Sequence, residues 1–242
     1  DAVLQAVLTG LREGERRLAV SFGVIVTALR NLSPADSLRL AELAVAWSDR
    51  GVVGFDLAGP EEGNSSEPHR RAFETAAGGG LGVTIHAGEV SGPETVTHAL
   101  DCGANRIGHG TQLRRDPAVL ERVKSEQIPL ESCPTSNVQT HAVTGYDDHP
   151  LMDYHRQGLP VTVNTDSRLV SLTSVTDEMM HLHEHQGMTW DEAIELCKAS
   201  FRAAFLDAAR KEELVGRVDT VVEKAIAAGF NPATLTVETS AD

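Results

Sequence analysis

Short, almost entirely apolar stretches alternate with amphipathic ones along most of the chain. Residues 1–17 predict a helix, because their apolar side chains recur every three to four positions. The nearly all-apolar segment 18–28 is typical of a strand buried on both faces. A second helix is predicted from Pro34 at its first position, with Ser33 as N-cap, to about Asp49.

The same alternation continues to residue 166. Further strands are predicted at 51–57, 82–86, 105–109, 128–133 and 159–166. Helices are predicted at about 68–77, 91–100, 117–124, 150–157 and throughout 171–230, followed by a polar tail at 231–242. Each connection is long enough for a right-handed crossover between parallel strands. The pattern therefore predicts an α/β protein with a parallel sheet.

Two parallel architectures fit this pattern, an open doubly wound sheet and a closed barrel. The glycines Gly78–Gly80 precede a strand, whereas a dinucleotide-binding loop follows one. Chemically active residues at several strand ends favour the barrel. A closed TIM-type (β/α)8 barrel needs about eight strands, and six are predicted here. The residues 16–19 also join helix to strand with almost no loop. We therefore expect a single barrel domain, 1–242, that is incomplete in this chain because its first two strands are missing.

Composition narrows the class of partner. Of the 242 residues, 41% are hydrophobic and 4% aromatic, and the formal net charge is −14. This acidity argues against a nucleic-acid or anionic-membrane partner. The three cysteines show no CxxC spacing and no signal-peptide pattern opens the sequence, so we expect a cytoplasmic protein.

Metal-competent and acid–base residues stand at the ends of three predicted strands. His86 and, three residues later, Glu89 follow one strand, His109 ends the next, and Asp166 ends the last. Imidazole and carboxylate together suit zinc or another borderline first-row ion. Glu89 is placed to shuttle protons to a substrate over such an ion. The three strand ends therefore predict one shared site.

Five motifs in this part of the chain, in this order, carry a family resemblance. They are Gly54–Gly59, Thr84–Glu89, Arg106–Gly110, Cys133–Asn137 and Val163–Asp166. With them the chain resembles the adenosine deaminase family of zinc-dependent amidohydrolase barrels. The resemblance implies one Zn²⁺ per subunit, bound by His86 and Asp166. It implies that Glu89 donates a proton to purine N1, that His109 and Asp166 hold and activate the attacking water, and that the Gly59 backbone N–H binds the purine.

The chain departs from the family pattern at two points. The family has a His-x-His pair on its first strand, whereas the only histidine before His86 is His69. The six strands would correspond to the family's third to eighth. Ser167 stands where the family often has an acidic residue that contacts the purine, so we expect an uncharged substrate contact there.

The histidine-rich segment 181–185 resembles the missing His-x-His pair in sequence only. Residues two apart point to nearly opposite sides of a helix, so His181 and His183 do not form a His-x-His pair there. His181 and His185 do share a face and could bind a metal, but a solvated helix face is the expectation.

The expected reaction is the deamination of adenosine, and of deoxyadenosine, to inosine and ammonia. Adenine and aminofutalosine remain alternative substrates. An AMP deaminase is disfavoured, since no Arg or Lys cluster gathers at the strand ends to bind a phosphate. The rival from another class is a non-catalytic barrel fragment without zinc. The oligomeric state stays open.

Overall fold

The computed structural model describes residues 1–232, in which strands and helices alternate as the sequence predicts. The chain divides into two compact units, Asp1–Val119 and Leu120–Asp242. Most of the predicted polar tail, residues 233–242, lies outside the described residues. Within the described residues, no helix is both long and apolar enough to cross a membrane.

The first unit is built on four strands in chain order. The strands are β1 (Val24–Leu29), β2 (Val52–Ala58), β3 (Gly82–Ala87) and β4 (Arg106–His109). Each pairs in parallel with the next. The helices are α1 (Ala2–Leu18), α2 (Pro34–Ala46), α3 (Arg70–Gly78) and α4 (Glu94–Asp101), and α5 (Pro117–Ser125) begins at its end. The carboxyl ends of the four strands therefore meet at one edge of the sheet.

Packing of α3 against β2 forms much of this unit's core. Phe73 of α3 and Phe55 of β2 are fully buried, with ring centroids 6.1 Å apart in an edge-to-face arrangement. The predicted start of α2 is confirmed: Pro34 occupies the first turn, and Ser33 Oγ accepts the N–H of Asp36 at 3.2 Å. The cap satisfies one of the donors that a helix N-terminus leaves without a partner.

The expectation of a strand buried on both faces at 18–28 is wrong. The helix α1 runs to Leu18, Ala19 ends it in the left-handed conformation with φ 53°, and β1 begins only at Val24. Val20 is 60% exposed and Leu29 is 44% exposed. The reason is that residues 19–23 form a connection rather than a strand, so only the second half of the apolar segment enters the sheet.

The second unit contains a parallel pair of strands and most of the chain's later helices. The strands are β5 (Leu130–Ser132) and β6 (Val161–Val163). The helices are α6 (Pro134–Gln139), α7 (Leu151–Arg156), α8 (Arg168–Ser171), α9 (Val175–Gln186), α10 (Trp190–Ala203) and α11 (Ala208–Ala227). The six predicted strands are thus all present, and the parallel α/β class is confirmed.

Local chemistry divides the predicted helical region 171–230 into separate helices. Gly187 ends α9 in the left-handed conformation, with φ 62°. Thr189 then begins α10 with a capping box, in which its side chain accepts the Glu192 N–H and the Glu192 carboxylate accepts the Thr189 N–H at 2.8 Å. A glycine stop followed by a threonine start is sufficient to break the helix.

The same Glu192 carboxylate forms an ion pair with Arg156 within the second unit. This ion pair should make the stability of the protein depend on pH. Arg156 Nε lies 2.8 Å from Glu192 Oε1, and this hydrogen bond lowers the pKa of Glu192 from 4.5 to about 2. A depressed carboxyl pKa contributes stability above the unfolded value and loses it as the pH falls. We expect Glu192→Gln to destabilise the protein by up to about 1 kcal/mol near neutral pH, because both partners stay partly exposed.

The measurement is urea unfolding from about pH 6 down to about pH 3, where the difference from wild type should shrink. Glutamine retains an amide oxygen for the Thr189 N–H, so the change removes the charge and the hydrogen bond from Arg156 Nε while keeping the cap. Glu212→Gln, at an exposed position on α11, serves as the control. A destabilisation that does not change with pH would contradict the assignment.

Candidate active site

Three of the predicted site residues come together at the carboxyl end of the first unit's sheet. In the register of β3 and β4, His86 lies opposite Gly108 and Ala87 opposite His109. The rings of His86 and His109 are 5.0 Å apart. Glu89 Oε2 lies 3.6 Å from His109 Nε2, and His109 is almost fully buried. Neighbouring parallel strands therefore place these two imidazoles and a carboxylate in one cluster.

Gly108 allows the close approach of the two strands at this point. A Cβ atom there would lie 3.0 Å from His86 Cα and 3.1 Å from the His86 ring. Any side chain at this position would therefore displace the histidine.

Asp56 on β2 fixes the orientation of His86. The His86 Nδ1–H donates to Asp56 Oδ1 at 3.0 Å, and Asp56 is buried. Thr27 Oγ1 donates to the second oxygen of Asp56 at 3.2 Å. A carboxylate on Nδ1 leaves Nε2 as the basic nitrogen of His86, the one that could bind a metal ion. Asp56 lies in the motif Gly54–Gly59, but the sequence alone does not indicate this orienting role.

Glu61 anchors the loop that carries Glu89, and sequence reasoning missed it altogether. Its buried carboxylate accepts four consecutive backbone N–H groups: those of Gly88 at 2.7 Å, Glu89 and Val90 at 3.0 Å each, and Ser91 at 3.1 Å. The available signal was an acidic residue two positions after Gly59 at the end of β2. One side chain thus satisfies a whole turn of backbone donors.

The charge of Glu61 is stabilised in spite of its burial. Burial alone raises the pKa of this carboxyl group, but the N–H groups of Val90 and Ser91, together with Arg30, outweigh burial and lower the pKa below its ordinary value. Burial lowers the pKa of Arg30, which Glu61 and Asp56 act to raise. Arg30 also donates to the backbone oxygens of His86 and Asn64. The loop is therefore held by hydrogen bonds to a buried carboxylate, whose charge the Arg30 guanidinium helps to stabilise.

Gly59 lies at the same edge of the sheet. It follows β2 with φ +99°, a conformation that side chains rarely adopt. A Cβ there would lie 3.6 Å from the Arg30 side chain. Gly59, which is predicted to contact the substrate, therefore lies beside Arg30, which donates to the His86 backbone oxygen.

Asp166 and Ser167 belong to the second unit. Asp166 follows β6, is exposed, and accepts a hydrogen bond from Ser136 Oγ at 2.7 Å. Ser167 is exposed and precedes α8. Both Asp166 and His109 have positive φ, 51° and 64°. Such strained non-glycine conformations cluster at functional sites.

His69 is a core residue of the first unit. Its Nδ1 lies 2.8 Å from Ser37 Oγ, and its Nε2 lies 3.3 Å from the Arg30 backbone oxygen. Burial lowers its pKa, so the ring is held neutral. Both ring nitrogens are engaged, and His69 supplies no metal ligand.

The anchoring role of Glu61 can be tested by Glu61→Gln. The glutamine amide turns N–H donors towards backbone N–H donors, so we expect a loss of about 1–3 kcal/mol of unfolding free energy. Native-state hydrogen exchange should show faster exchange at the Val90 and Ser91 amides. Glu62→Gln, at the exposed neighbouring position, is the matched control. Equal protection of these amides in both variants would refute the role.

The chain is similar in sequence and in fold to known deaminases. The family model for adenosine deaminase matches residues 1–221. An adenosine deaminase of Mycobacterium sp. (strain KMS) is 39% identical over 240 residues, covering 92% of this chain, which spans 65% of that relative's length. A solved adenine deaminase from Arthrobacter aurescens has a TM-score of 0.84 at 32% identity, covering 90% of this chain and 66% of its own.

A second solved structure extends the range of chemistry in this fold. The N6-mAMP deaminase of Arabidopsis has a TM-score of 0.81 at 28% identity, covering 90% of this chain and 66% of its own. These likenesses confirm both the predicted fold class and the resemblance drawn from the five motifs. Since the family model matches residues 1–221, the chain belongs to the adenosine deaminase family.

Proposed function

We propose that the protein is a zinc-dependent deaminase that converts adenosine, and deoxyadenosine, to inosine and ammonia. The observation that carries the proposal is the cluster in which Glu89 lies 3.6 Å from His109 while Asp56 orients His86. A carboxyl group beside imidazoles at the carboxyl end of parallel strands is suited to proton transfer. Membership of the family supports an enzyme of this class.

Two of the residues present, His86 and Asp166, offer donor atoms of the kinds that zinc binds. Asp56 occupies Nδ1 of His86, so the ring offers Nε2 to a metal in the tautomer that zinc sites use. We propose Asp166 as a carboxylate ligand, since it is exposed at a strand end and carries a strained φ of 51°. When bound, zinc supplies a Lewis acid that lowers the pKa of water towards about 7. One ion per subunit is expected.

Glu89 would deliver a proton to purine N1, with His109 orienting the attacking water. The loop holds Glu89 in place from several directions. Its backbone N–H binds Glu61, and its backbone oxygen accepts from Thr111 Oγ1 at 2.6 Å and Gln112 Nε2 at 3.1 Å. Such pre-organisation lowers the cost of aligning an acid with its substrate atom. The cluster therefore has a fixed acid, which proton transfer requires.

An unphosphorylated substrate fits the charges of the first unit better than a nucleotide. Arg30, the cation of the cluster, is buried and bound to the His86 and Asn64 backbone oxygens. Its charge is also opposed by Glu61 and Asp56, so a phosphate would have to compete with both. We propose that the Gly59 N–H and the Ser167 hydroxyl contact the purine.

Adenine is the second candidate substrate, because the solved adenine deaminase from Arthrobacter aurescens shares this fold at 32% identity. We infer a cytoplasmic location, since none of the three cysteines forms a disulfide.

The first test is an ultraviolet assay of the purified, zinc-supplemented protein with adenosine, following formation of inosine. We expect conversion that a chelator blocks. Conversion of adenine alone would reassign the substrate. Failure to convert either compound, with no zinc retained, would favour a non-catalytic fragment and overturn the proposal.

A second test separates proton transfer from metal binding. Glu89→Gln removes the acid but not a ligand, so we expect turnover to fall by about 100-fold or more with zinc content unchanged. Glu74→Gln, at an exposed position on α3, is the control and should retain activity. Loss of zinc in Glu89→Gln would contradict its assignment as proton donor.

A third test concerns the ligand role of His86. His86→Ala should lose the catalytic zinc, measured by elemental analysis after dialysis. Unchanged zinc content would remove His86 from the ligands.

A further inference from the structure

Helix α9 presents three potential metal ligands on one face. His181, Glu184 and His185 each offer one ligand atom, and these atoms all lie within 4.8 Å of one another. Spacings of three and four residues place side chains side by side on a helix. Two histidines four residues apart on a helix, as His181 and His185 are, form a known zinc-binding arrangement. The sequence alone predicts a solvated helix face here. In the structure, side chains from outside α9 contact two of the three residues.

His185 is oriented as metal-binding histidines are. Its Nδ1–H donates to Asp147 Oδ1 at 3.1 Å, from a turn outside the helix. The carboxylate fixes the tautomer in which Nε2 is the basic nitrogen. Asp147 therefore orients His185 in the same way as Asp56 orients His86, by accepting the Nδ1–H.

His181 is held rigidly and has an unsatisfied nitrogen. Its ring stacks on Tyr146 with centroids 4.0 Å apart and planes 18° apart. Its Nδ1 is buried and has no hydrogen-bond partner. Gln186 Nε2 donates to the Tyr146 backbone oxygen at 2.6 Å and ties the stacking partner to α9. Coordination through Nδ1 would supply the partner that the protein does not.

A polar cavity of about 470 Å³ adjoins these ligands. His181 and Glu184 both line it, as do the hydroxyl-bearing Thr135 and Thr173. An ion can enter from this side, and water can complete its coordination shell. The site therefore resembles an open three-ligand arrangement rather than a closed structural one.

We propose that His181, Glu184 and His185 form a divalent transition-metal site, for which zinc is the best match. Imidazole ligands favour zinc over magnesium or calcium. The site consists of residues other than those proposed for catalysis. Binding there links α9 to the Tyr146–Asp148 turn through Asp147 and Tyr146, so the ion would stabilise the second unit.

His183 provides a matched control on the same helix. Its Nδ1 donates to the Met188 backbone oxygen at 2.8 Å, which turns it away from the three ligands. Equilibrium dialysis against Zn²⁺ should show that His181→Ala and His185→Ala each lose about one equivalent per chain. His183→Ala should bind as wild type does. The difference between variants removes the contribution of zinc bound elsewhere, including at His86.

Two further variants keep the test independent of folding. Asp147→Asn alters only the group behind His185 and should weaken this zinc site by about 10–100-fold. Glu184→Gln changes an exposed side chain and should also weaken it. Zn²⁺, but not Mg²⁺, should raise the melting temperature of wild type and of His183→Ala more than that of His185→Ala.

Equal zinc binding and equal melting shifts in wild type, His181→Ala and His185→Ala would overturn the proposal. Loss of the site in these variants with unchanged zinc at His86 would support it, whatever the outcome of the deaminase assay.

Discussion

The buried carboxylate of Glu61 is the interaction on which the site in the first unit depends. It accepts the backbone N–H groups of four successive residues, from Gly88 to Ser91. Arg30 balances its charge and reaches the backbone of His86. The conformation of the loop and the position of the Glu89 backbone therefore depend on this one buried carboxylate and its hydrogen bonds.

Carboxylates orient imidazoles in both units of the protein. Asp56 holds Nδ1 of His86 at 3.0 Å, and Asp147 holds Nδ1 of His185 at 3.1 Å. The carboxylate in each case comes from a different element than the histidine. A histidine so held loses rotational freedom and has one defined basic nitrogen, which is what a metal requires. The same physical arrangement thus supports two separate proposals about metal binding.

Two residues at strand ends, one in each unit, have strained backbone conformations. His109 and Asp166 both have left-handed φ angles, which cost about 1–3 kcal/mol each in ordinary residues. His109 is held by its pairing with Ala87, and Asp166 by Ser136.

Alternation of apolar and amphipathic segments was enough to predict the parallel strands, because burial between helices demands continuous apolar stretches. Local chemistry fixed several helix ends, as at Ser33. The segment 18–28 failed because apolarity does not show where a strand begins, and residues 19–23 form a connection before β1.

The sequence by itself determined the strand ends that carry His86, Glu89, His109 and Asp166, since residue order along a parallel strand fixes its carboxyl end. Only the tertiary structure decided which groups support them. Glu61 is 27 residues from Gly88 and Asp56 is 30 from His86, and nothing local pairs them. Hydrogen bonds between residues distant in sequence depend on the register of the strands and the conformation of the loops. A single sequence does not show either of these directly.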